Sequence, residues 1–197
     1  MPRTADPTDI PRRLTDAGYL LFNRHGYNAT GIQQITDQAG VPKGSFYHYF
    51  ASKEAFGLAL IERYAHFFAR KLDRHLLCAE LTPLARVQAF VDDAQAGMAR
   101  YDYRRGCLIG NLGQEMGALP ESFRAQLQAV FADWQARLAA CLRLAQQAGE
   151  MSATADAEQL AAFFWIGWEG AVLRAKLAQS AEPLTVFARF FLAGLPR

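Results

Sequence analysis

The 197-residue sequence lacks the features that mark membrane, secreted and metal-binding proteins. No apolar run approaches the roughly 20 residues needed to cross a bilayer, and the opening residues lack the apolar stretch of a secretory signal. Cysteine occurs only three times, at Cys78, Cys107 and Cys141, without the even number or clustering of a disulfide framework. The widely spaced histidines form no metal-ligand motif. We therefore expect a cytoplasmic protein in a reducing compartment, with no membrane partner, metal or other cofactor.

An excess of charge of one sign is also missing. The chain has 21 basic and 19 acidic residues, a formal net charge of +2. So small a charge does not identify a nucleic-acid binder by itself. Residues 1–53 hold six of the basic and four of the acidic residues, so the whole excess lies in the first quarter of the chain.

What the sequence does contain is a helical pattern along nearly its whole length. Ile10, Leu14, Ala17 and Leu21 recur at spacings of four, three and four, which predicts an amphipathic helix. This first helix is predicted from about Thr8 to His25, with Thr8 or Asp9 as its cap and Gly26 at its end. No segment alternates with period two, so the predicted fold is all-α. The other helices are predicted at Thr30–Ala39 (with Gln33 in capping-box register), Lys43–Tyr49, Ser52–Leu77 (capped by Ser52), 83–100, 106–117, 120–148, 155–179 and 183–194.

The second and third helices have the arrangement of a helix-turn-helix motif. Gly40 in the connecting turn can adopt the left-handed conformation that ends a helix. Phe46 and Phe50, four residues apart, can anchor the third helix to a core. The remaining side chains then face elsewhere, with groups that suit phosphate oxygens and base edges: Lys43, Ser45, Tyr47, His48 and Tyr49. The alternative is that these aromatic residues merely pack a small helical bundle.

The run from Phe22 to Glu54 closely resembles the N-terminal domain of TetR-type regulators. It includes Ala39-Gly40-Val41-x-Lys43-Gly44-Ser45-Phe46-Tyr47-x-Tyr49-Phe50-x-Ser52-Lys53-Glu54. The resemblance implies a DNA-binding domain at 1–53 and an effector-binding and dimerisation domain at 54–197. It also implies phosphate contacts for Thr30, Tyr49 and Lys53, base-edge contacts for Lys43, Gly44, Ser45 and Tyr47, and a backbone contact for His48.

Such regulators bind double-stranded DNA as two-fold dimers, which implies a pseudo-palindromic operator with half-sites about one helical turn (roughly 34–36 Å) apart. The two C-terminal helices are the candidate dimer interface, because they are too apolar to face solvent. The residues expected there are Phe163, Phe164, Gly167, Gly170, Ala171, Phe187, Phe190 and Phe191. The alternative is that all of these residues belong to the core of one protomer.

Cys107 is the candidate sensor of a small-molecule inducer. It is predicted in the first turn of helix 106–117, two residues after an Arg pair, where the helix N-terminus and the cations would stabilise the nucleophilic thiolate. The commoner alternative for a free cysteine is a small, buried, unreactive side chain.

Residues 105–112 and 164–176 resemble one TetR subgroup, whose members include an acrylate-responsive repressor and a repressor that senses N-ethylmaleimide and aldehydes. The resemblance implies that Cys107 is a switch and that Lys176 is its partner, although Lys176 can equally be a solvated cation. A small electrophile or α,β-unsaturated acid would then enter a pocket lined by Trp134 and Trp168.

Three alternatives stay open for this second region. A hydrophobic inducer could bind without reacting, so that Cys107 only lines the pocket. More distant are an enzyme with Cys107 as its nucleophile, and a ligand carrier that has lost DNA binding.

Overall fold

The computed structural model describes residues 9–197, and in these residues every regular element is a helix. The predicted all-α fold is therefore confirmed. No helix of this part of the chain combines the length and the apolar character needed to span a membrane. The helices are α1 (Ile10–His25), α2 (Ile32–Ala39), α3 (Lys43–Tyr49), α4 (Lys53–Leu76), α5 (Pro83–Ala99), α6 (Leu108–Gln114), α7 (Ser122–Gln147), α8 (Ala157–Ala178) and α9 (Glu182–Ala193).

Helix α1 ends where the sequence predicts. Gly26 takes φ 80°, a conformation that costs a residue without a side chain little, and its N–H donates to the Phe22 carbonyl. Asp9 occupies the N-cap position, but its carboxylate accepts from Arg12 Nε at 2.6 Å and bonds no backbone N–H. Thr8, the other predicted cap, lies outside the described residues.

Helix α2 begins two residues later than predicted. Gly31 is its N-cap, and the Gln34 side chain accepts from the Gly31 N–H at 2.6 Å. The predicted capping partner, Gln33, instead donates to Asp37 within the helix. The capping box is therefore displaced by one position. Ser52, by contrast, caps α4 as predicted, since its hydroxyl accepts from the Ala55 N–H at 3.0 Å.

The described part of the chain divides into two compact units, residues 9–64 with 108–127 and residues 65–107 with 128–197. These units do not follow the boundary expected at residue 53, and that division into functional domains stays a prediction. The core of the first unit is a group of contacting aromatic rings, namely Phe22, Tyr27, Phe46, Phe50, Phe56 and Phe123. The core of the second contains Phe68, Phe90, Trp134, Phe164, Trp165 and Trp168.

Candidate DNA-binding surface and effector site

The turn between α2 and α3 has the geometry that the sequence predicts. Gly40 is left-handed, with φ 64° and ψ 40°, and Val41 is buried with its N–H bonded to the Thr36 carbonyl at 3.0 Å. Arg13 from α1 donates to the carbonyls of Ala39 and Gly40, where a cation is favourable at a helix C-terminus. The turn that joins the two helices is thus fixed from both sides.

Helix α3 is held to the first unit chiefly by one buried side chain. Phe46 is fully buried, and its ring lies 5.2 Å from Phe56 and 5.6 Å from Phe50. Phe50 is half-buried and lies 4.9 Å from Phe56. Both predicted anchors therefore face the core, and the opposite face of α3 is left to solvent.

The solvent face of α3 carries most of the residues predicted to contact DNA. Tyr47 is 54% exposed, and Lys43, Gly44 and His48 are exposed as well. Ser45 and Tyr49 are half-buried at the edges of this face. We call the six residues from Lys43 to Tyr49 other than Phe46 the α3 face.

Gly44 is not required by the protein's own packing. A Cβ placed there would meet no atom within 4 Å, and the backbone is ordinary helix. Glycine inside a helix costs about 1 kcal/mol relative to alanine. No contact within the protein requires glycine here to offset this loss of stability. Such a glycine is expected where an external molecule approaches the helix backbone closely.

Thr30 does not lie on this surface. It is fully buried, and its hydroxyl donates to the Gly26 carbonyl at 2.7 Å. The phosphate contact expected of its side chain is therefore corrected, because the hydroxyl is committed to the turn between α1 and α2. Thr30 supports that turn from inside.

Lys53 lies at the start of α4 against the same turn. Its ammonium is 4.2 Å from the Tyr27 ring and 3.5 Å from the Asn28 carbonyl. Burial lowers the pKa of Lys53, while the nearby Glu115 carboxylate raises it. The side chain is held in place, with its remaining N–H groups available for a phosphate.

Glu115 is a structural contact that the sequence did not indicate. Its carboxylate accepts from the Tyr27 N–H at 3.0 Å and from the Asn28 N–H at 3.5 Å. It follows α6 directly, and Asn111 within α6 donates to Asn23 of α1 at 3.1 Å. The segment after Cys107 is thereby tied to the turn that precedes the helix-turn-helix.

Cys107 lies one residue before α6, not in the first turn of a helix that begins at 106. It is buried, and its thiol forms a hydrogen bond with the Glu169 carboxyl. Of the two preceding arginines, Arg104 is exposed and Arg105 stacks on the Tyr101 ring at 3.8 Å. One neighbour of this thiol is therefore an acid, which the sequence did not predict.

Glu169 is the second group that sequence reasoning missed, although it stands in the motif that carries the resemblance. Its Oε1 is shielded from solvent and has no hydrogen-bond partner among residues 9–197. Burial raises the pKa of Glu169 to about 7, and the hydrogen bond from Cys107 opposes that rise. A carboxyl group next to a thiol can therefore be present in either protonation state near neutral pH.

The aromatic residues expected to line a pocket are buried in the second unit. Trp134 is fully buried, and the centre of its ring lies 4.3 Å from that of Phe68 and 5.0 Å from that of Trp165. The indole N–H groups of Trp134 and Trp165 have no hydrogen-bond partner in the described part of the chain. Buried donors usually have a hydrogen-bond partner, so we expect a polar ligand or a water molecule to accept from these two N–H groups.

Trp168 and Lys176 lie on α8 with Glu169. Trp168 is buried and stacks on Phe164 at 5.6 Å. Lys176 is half-buried and lies about 10 Å further along the helix axis than Glu169, since each residue advances the helix by about 1.5 Å.

The eight residues predicted for a dimer interface divide by burial. Phe164, Ala171 and Phe191 are buried within the protomer, so they pack its own core, and their role at a dimer interface stays a prediction. Gly167 and Phe187 contact each other between α8 and α9, where a larger residue at 167 would displace the ring. The exposed members are Phe163, Gly170 and Phe190.

Four further apolar residues on these helices are exposed, and the sequence pattern did not single them out. They are Ile166, Leu173, Leu177 and Val186. Ile166 is 74% exposed, the largest value among them. Phe163, Ile166, Gly170, Leu173 and Leu177 follow each other at spacings of three and four, so α8 carries one continuous apolar stripe on its surface. We call it the α8 stripe.

The other cysteines and the histidines have separate environments. Cys141 is buried and donates to the Pro83 carbonyl, and burial raises its pKa to about 11. Cys78 donates to Glu80 at 2.9 Å. His75 lies 3.2 Å from the Asp93 carboxylate. Among residues 9–197 no group of His, Cys, Asp and Glu is arranged to hold a metal ion.

An all-helical chain with an anchored helix-turn-helix at one end defines a DNA-binding regulator. Two family models match it: "Bacterial regulatory proteins, tetR family" over residues 14–60, and "Tetracyclin repressor-like, C-terminal domain" over residues 83–191. The second covers more than half of the chain. The chain belongs to the TetR family of bacterial transcriptional regulators.

Individual relatives agree with the family. Transcriptional regulator AcuR of Cereibacter sphaeroides is 52% identical, over 96% of this chain and 90% of its own length. The HTH-type transcriptional repressor NemR of Escherichia coli is 31% identical, over 89% and 88%. The predicted resemblance to these regulators is confirmed. Their names are those of regulators, in agreement with the prediction of a regulator in place of an enzyme.

Solved structures agree as well. A regulatory protein TetR from Rhodobacter sphaeroides superposes with a TM-score of 0.92 at 52% identity, covering 95% of this chain and 99% of that one. The reduced form of E. coli NemR superposes with a TM-score of 0.86 at 30% identity, covering 93% and 95%. Regulators of this family bind operator DNA, typically as dimers that respond to small molecules.

Proposed function

We propose that this regulator is a repressor that leaves its operator when a small electrophile or α,β-unsaturated acid reacts with Cys107. The observation that carries the proposal is the buried hydrogen bond between the Cys107 thiol and the Glu169 carboxyl, directly before α6.

The DNA-reading part of the proposal rests on the α3 face. Tyr47, Lys43 and Gly44 would lie along base edges with Ser45, while Tyr49, His48 and Lys53 would contact the backbone. The exposure of Tyr47 and the open space at Gly44 support these roles, because neither feature serves the fold. The operator would be pseudo-palindromic, with half-sites spaced to meet two copies of α3.

The dimer part of the proposal rests on the α8 stripe with Phe190 of α9. Phe190 is 64% exposed and Ile166 is more so, and contiguous apolar surface of this kind is costly in water. Gly170 within the stripe lets a second helix approach closely. We expect Ile166→Glu to convert the dimer to a monomer in sedimentation velocity, whereas Glu158→Gln on the same helix should leave it a dimer.

The sensing step must favour the form that does not bind DNA. A ligand with equal affinity for both forms would shift nothing, so the adduct has to alter contacts that differ between them. Cys107 is joined directly along the chain to Leu108, the first residue of α6. A change at the thiol therefore acts on the backbone of the segment that ends at Glu115.

Glu115 is the proposed end point of this route. Its carboxylate holds the N–H groups of Tyr27 and Asn28, next to Lys53. Displacement of the 108–115 segment would loosen the turn that sets α2 and the phosphate contact of Lys53. DNA affinity would fall without unfolding of α3 itself.

The proposal is tested with Cys107→Ser and matched variants at the other cysteines, Cys78→Ser and Cys141→Ser. Operator binding is followed by fluorescence anisotropy with the promoter region beside the protein's own gene, before and after exposure to acrylate or N-ethylmaleimide. We expect wild type and both control variants to be released, and Cys107→Ser to stay bound. Release of Cys107→Ser at the wild-type concentration of reagent would refute the covalent mechanism.

A second candidate is a non-covalent inducer, favoured by the unpaired indole N–H groups of Trp134 and Trp165. These donors could bind a carboxylate without any bond to sulfur, and Cys107 would then only line the site. Lys176 or Arg174 could add a cation. Release by propionate, a saturated acid that cannot react with a thiol, would distinguish this candidate.

A further inference from the structure

Glu169 is the acidic group that the structure places on the sulfur of Cys107. The thiol donates to its carboxyl, and the second carboxyl oxygen, Oε1, is shielded from water without a hydrogen-bond partner among the described residues. A buried acceptor left unpaired is expensive and needs an explanation. A group whose task is to take up and release a proton supplies one.

The surroundings of Glu169 point to a ligand independently of the cysteine. Trp165 lies one turn before Glu169 on the same side of α8, is almost fully buried, and has an unpaired indole N–H. Trp134, which contacts Trp165, has another. The two unpaired donors in this part of the molecule match the oxygen of a small molecule with a carbonyl or carboxyl group, whereas the unpaired acceptor of Glu169 can take up only a proton or a donor.

We propose that Glu169 is the acid–base group of the sensing reaction, taking the proton from Cys107 and returning it to the electrophile. This inference rests on the proposed function, because it assumes that Cys107 reacts.

The reaction balances without any oxidant or other reagent. The Glu169 carboxylate accepts the thiol proton, and the sulfur electron pair attacks the β-carbon of the conjugated alkene. A carbon–sulfur bond forms and the alkene π bond breaks, so its electrons move towards the carbonyl oxygen. Glu169 then delivers its proton to the α-carbon, and the carboxylate is restored. An indole N–H such as that of Trp165 is suited to stabilise the developing charge on oxygen.

Burial fits Glu169 for both halves of this cycle. It raises the pKa of Glu169 to about 7, so the group accepts a proton more readily than an ordinary carboxylate and still releases it. An acid–base group works best when its pKa lies near the working pH.

The test measures adduct formation by intact-mass spectrometry in a Cys78→Ser background, with acrylate as the probe. Glu169→Gln keeps the size and polarity of the side chain but cannot carry the proton, whereas Glu169→Asp keeps a carboxylate. We expect the maximal rate of adduct formation to fall by about 100-fold in Glu169→Gln and by less than about tenfold in Glu169→Asp. The acrylate concentration that gives half the maximal rate should stay within about twofold of wild type in both, since binding is not Glu169's role.

Two controls separate chemistry from folding. Glu158→Gln, an exposed acid on the same helix that pairs with Arg143, should react at the wild-type rate. In concentrated urea all variants should react equally, because the unfolded thiol has lost its neighbour. Equal rates for native Glu169→Gln and wild type would overturn the inference, and so would equal slowing in Glu169→Asp and Glu169→Gln.

Failure of the inference and failure of the proposed function look different. If Cys107→Ser blocks release while Glu169→Gln reacts normally, only the role of Glu169 is wrong. If wild type is released by acrylate without any adduct, the covalent function itself is wrong and the role of Glu169 falls with it.

Discussion

The α3 face and the environment of Cys107 place polar groups in opposite settings. On α3, the phenol of Tyr47 and the ammonium of Lys43 project into solvent from a helix held by a buried ring. In the second unit, the thiol of Cys107 lies against the Glu169 carboxyl group, and one oxygen of that carboxyl group and two indole N–H groups are enclosed without a hydrogen-bond partner among residues 9–197. An exposed polar group is hydrogen-bonded to water in the free protein, so it does not destabilise the fold. An enclosed polar group without a hydrogen-bond partner destabilises the fold until a ligand supplies that partner. The first arrangement suits recognition of a large charged surface, and the second suits capture of a small molecule.

The largest effect on operator affinity is expected from substitution of Tyr47 on the α3 face. Tyr47→Ala removes a proposed base-edge contact worth about 1–3 kcal/mol, twice in a dimer, so specific operator affinity should fall by about 100-fold or more. The fold should survive, because the ring is mostly exposed. Mobility shift with operator and with unrelated DNA measures the loss.

Phe67→Ala is the matched control for Tyr47→Ala, because Phe67 on α4 has the same exposed fraction of 54%. It should bind operator within about twofold of wild type. Equal losses in the two variants would contradict a specific role for the α3 face.

The enclosed site makes a prediction about stability and pH. The pKa of Glu169 is about 7 in the folded protein, against an ordinary value of 4.5. Because the folded state holds this proton more tightly than the unfolded state, the contribution of Glu169 to stability is greatest below pH 4.5 and falls as the pH rises towards 7. The loss should amount to about 3 kcal/mol and level off above pH 7.

Urea unfolding of wild type and Glu169→Gln at several pH values tests this. The difference in unfolding free energy between them should grow in favour of the variant between pH 4.5 and 7. Glu158→Gln should show no such growth. A constant difference for Glu169→Gln would mean that the carboxyl group is not enclosed in solution.

Glu115 is the last residue of the segment that follows Cys107, and its substitution should have an intermediate effect on operator affinity. Glu115→Gln removes the charge from hydrogen bonds to the N–H groups of Tyr27 and Asn28, which weakens bonds worth about 1.5–3 kcal/mol when charged. Operator affinity should fall by about tenfold, while the rate of Cys107 modification should not change. Glu121→Gln, an exposed acid paired with Arg124, serves as the control in both assays.

The smallest effects are expected at Gly44, where one substitution should raise stability and lower operator affinity. Gly44→Ala should raise the free energy of unfolding by about 0.5–1 kcal/mol, because alanine favours a helix and nothing obstructs its methyl group. It should lower operator affinity if DNA approaches the backbone there. Gly113→Ala in α6, where a methyl group is equally unobstructed, should show the gain in stability alone.

The sequence predicted the helix-turn-helix more completely than the environment of Cys107. The reason is that the first depends on residues close together in the sequence, whereas the second depends on contacts between residues far apart in the sequence. Lys43, Phe46 and Tyr47 are assigned to different faces by helical spacing within a single short segment. Gly40 could be assigned to a left-handed turn from its position between two helices. These are local properties. The capping box at Gly31 was predicted one position too early. Gln33 and Gln34 are adjacent and either side chain can cap a helix, so the sequence does not say which of them does.

Glu169 and Glu115 could not be identified in the same way. Each owes its role to a partner far away in the chain, the thiol of Cys107 for one and the turn at Tyr27 for the other. The start of α6 shows a related difficulty, since glycine at 106 and 110 leaves the helical pattern without a sharp boundary. The exposed position of Ile166 was missed because residues 163–168 are apolar on every side of the helix, so composition does not say which side faces inward.

The most direct test follows Cys107 modification and operator release in one sample. Protein carrying Cys78→Ser and Cys141→Ser, so that Cys107 is the one cysteine left, is bound to labelled operator and treated with increasing acrylate, and each sample is divided between anisotropy and intact-mass spectrometry. We predict that the fraction of operator released rises together with the fraction of protein that carries an adduct at Cys107. Complete release with Cys107 still unmodified would contradict a covalent switch.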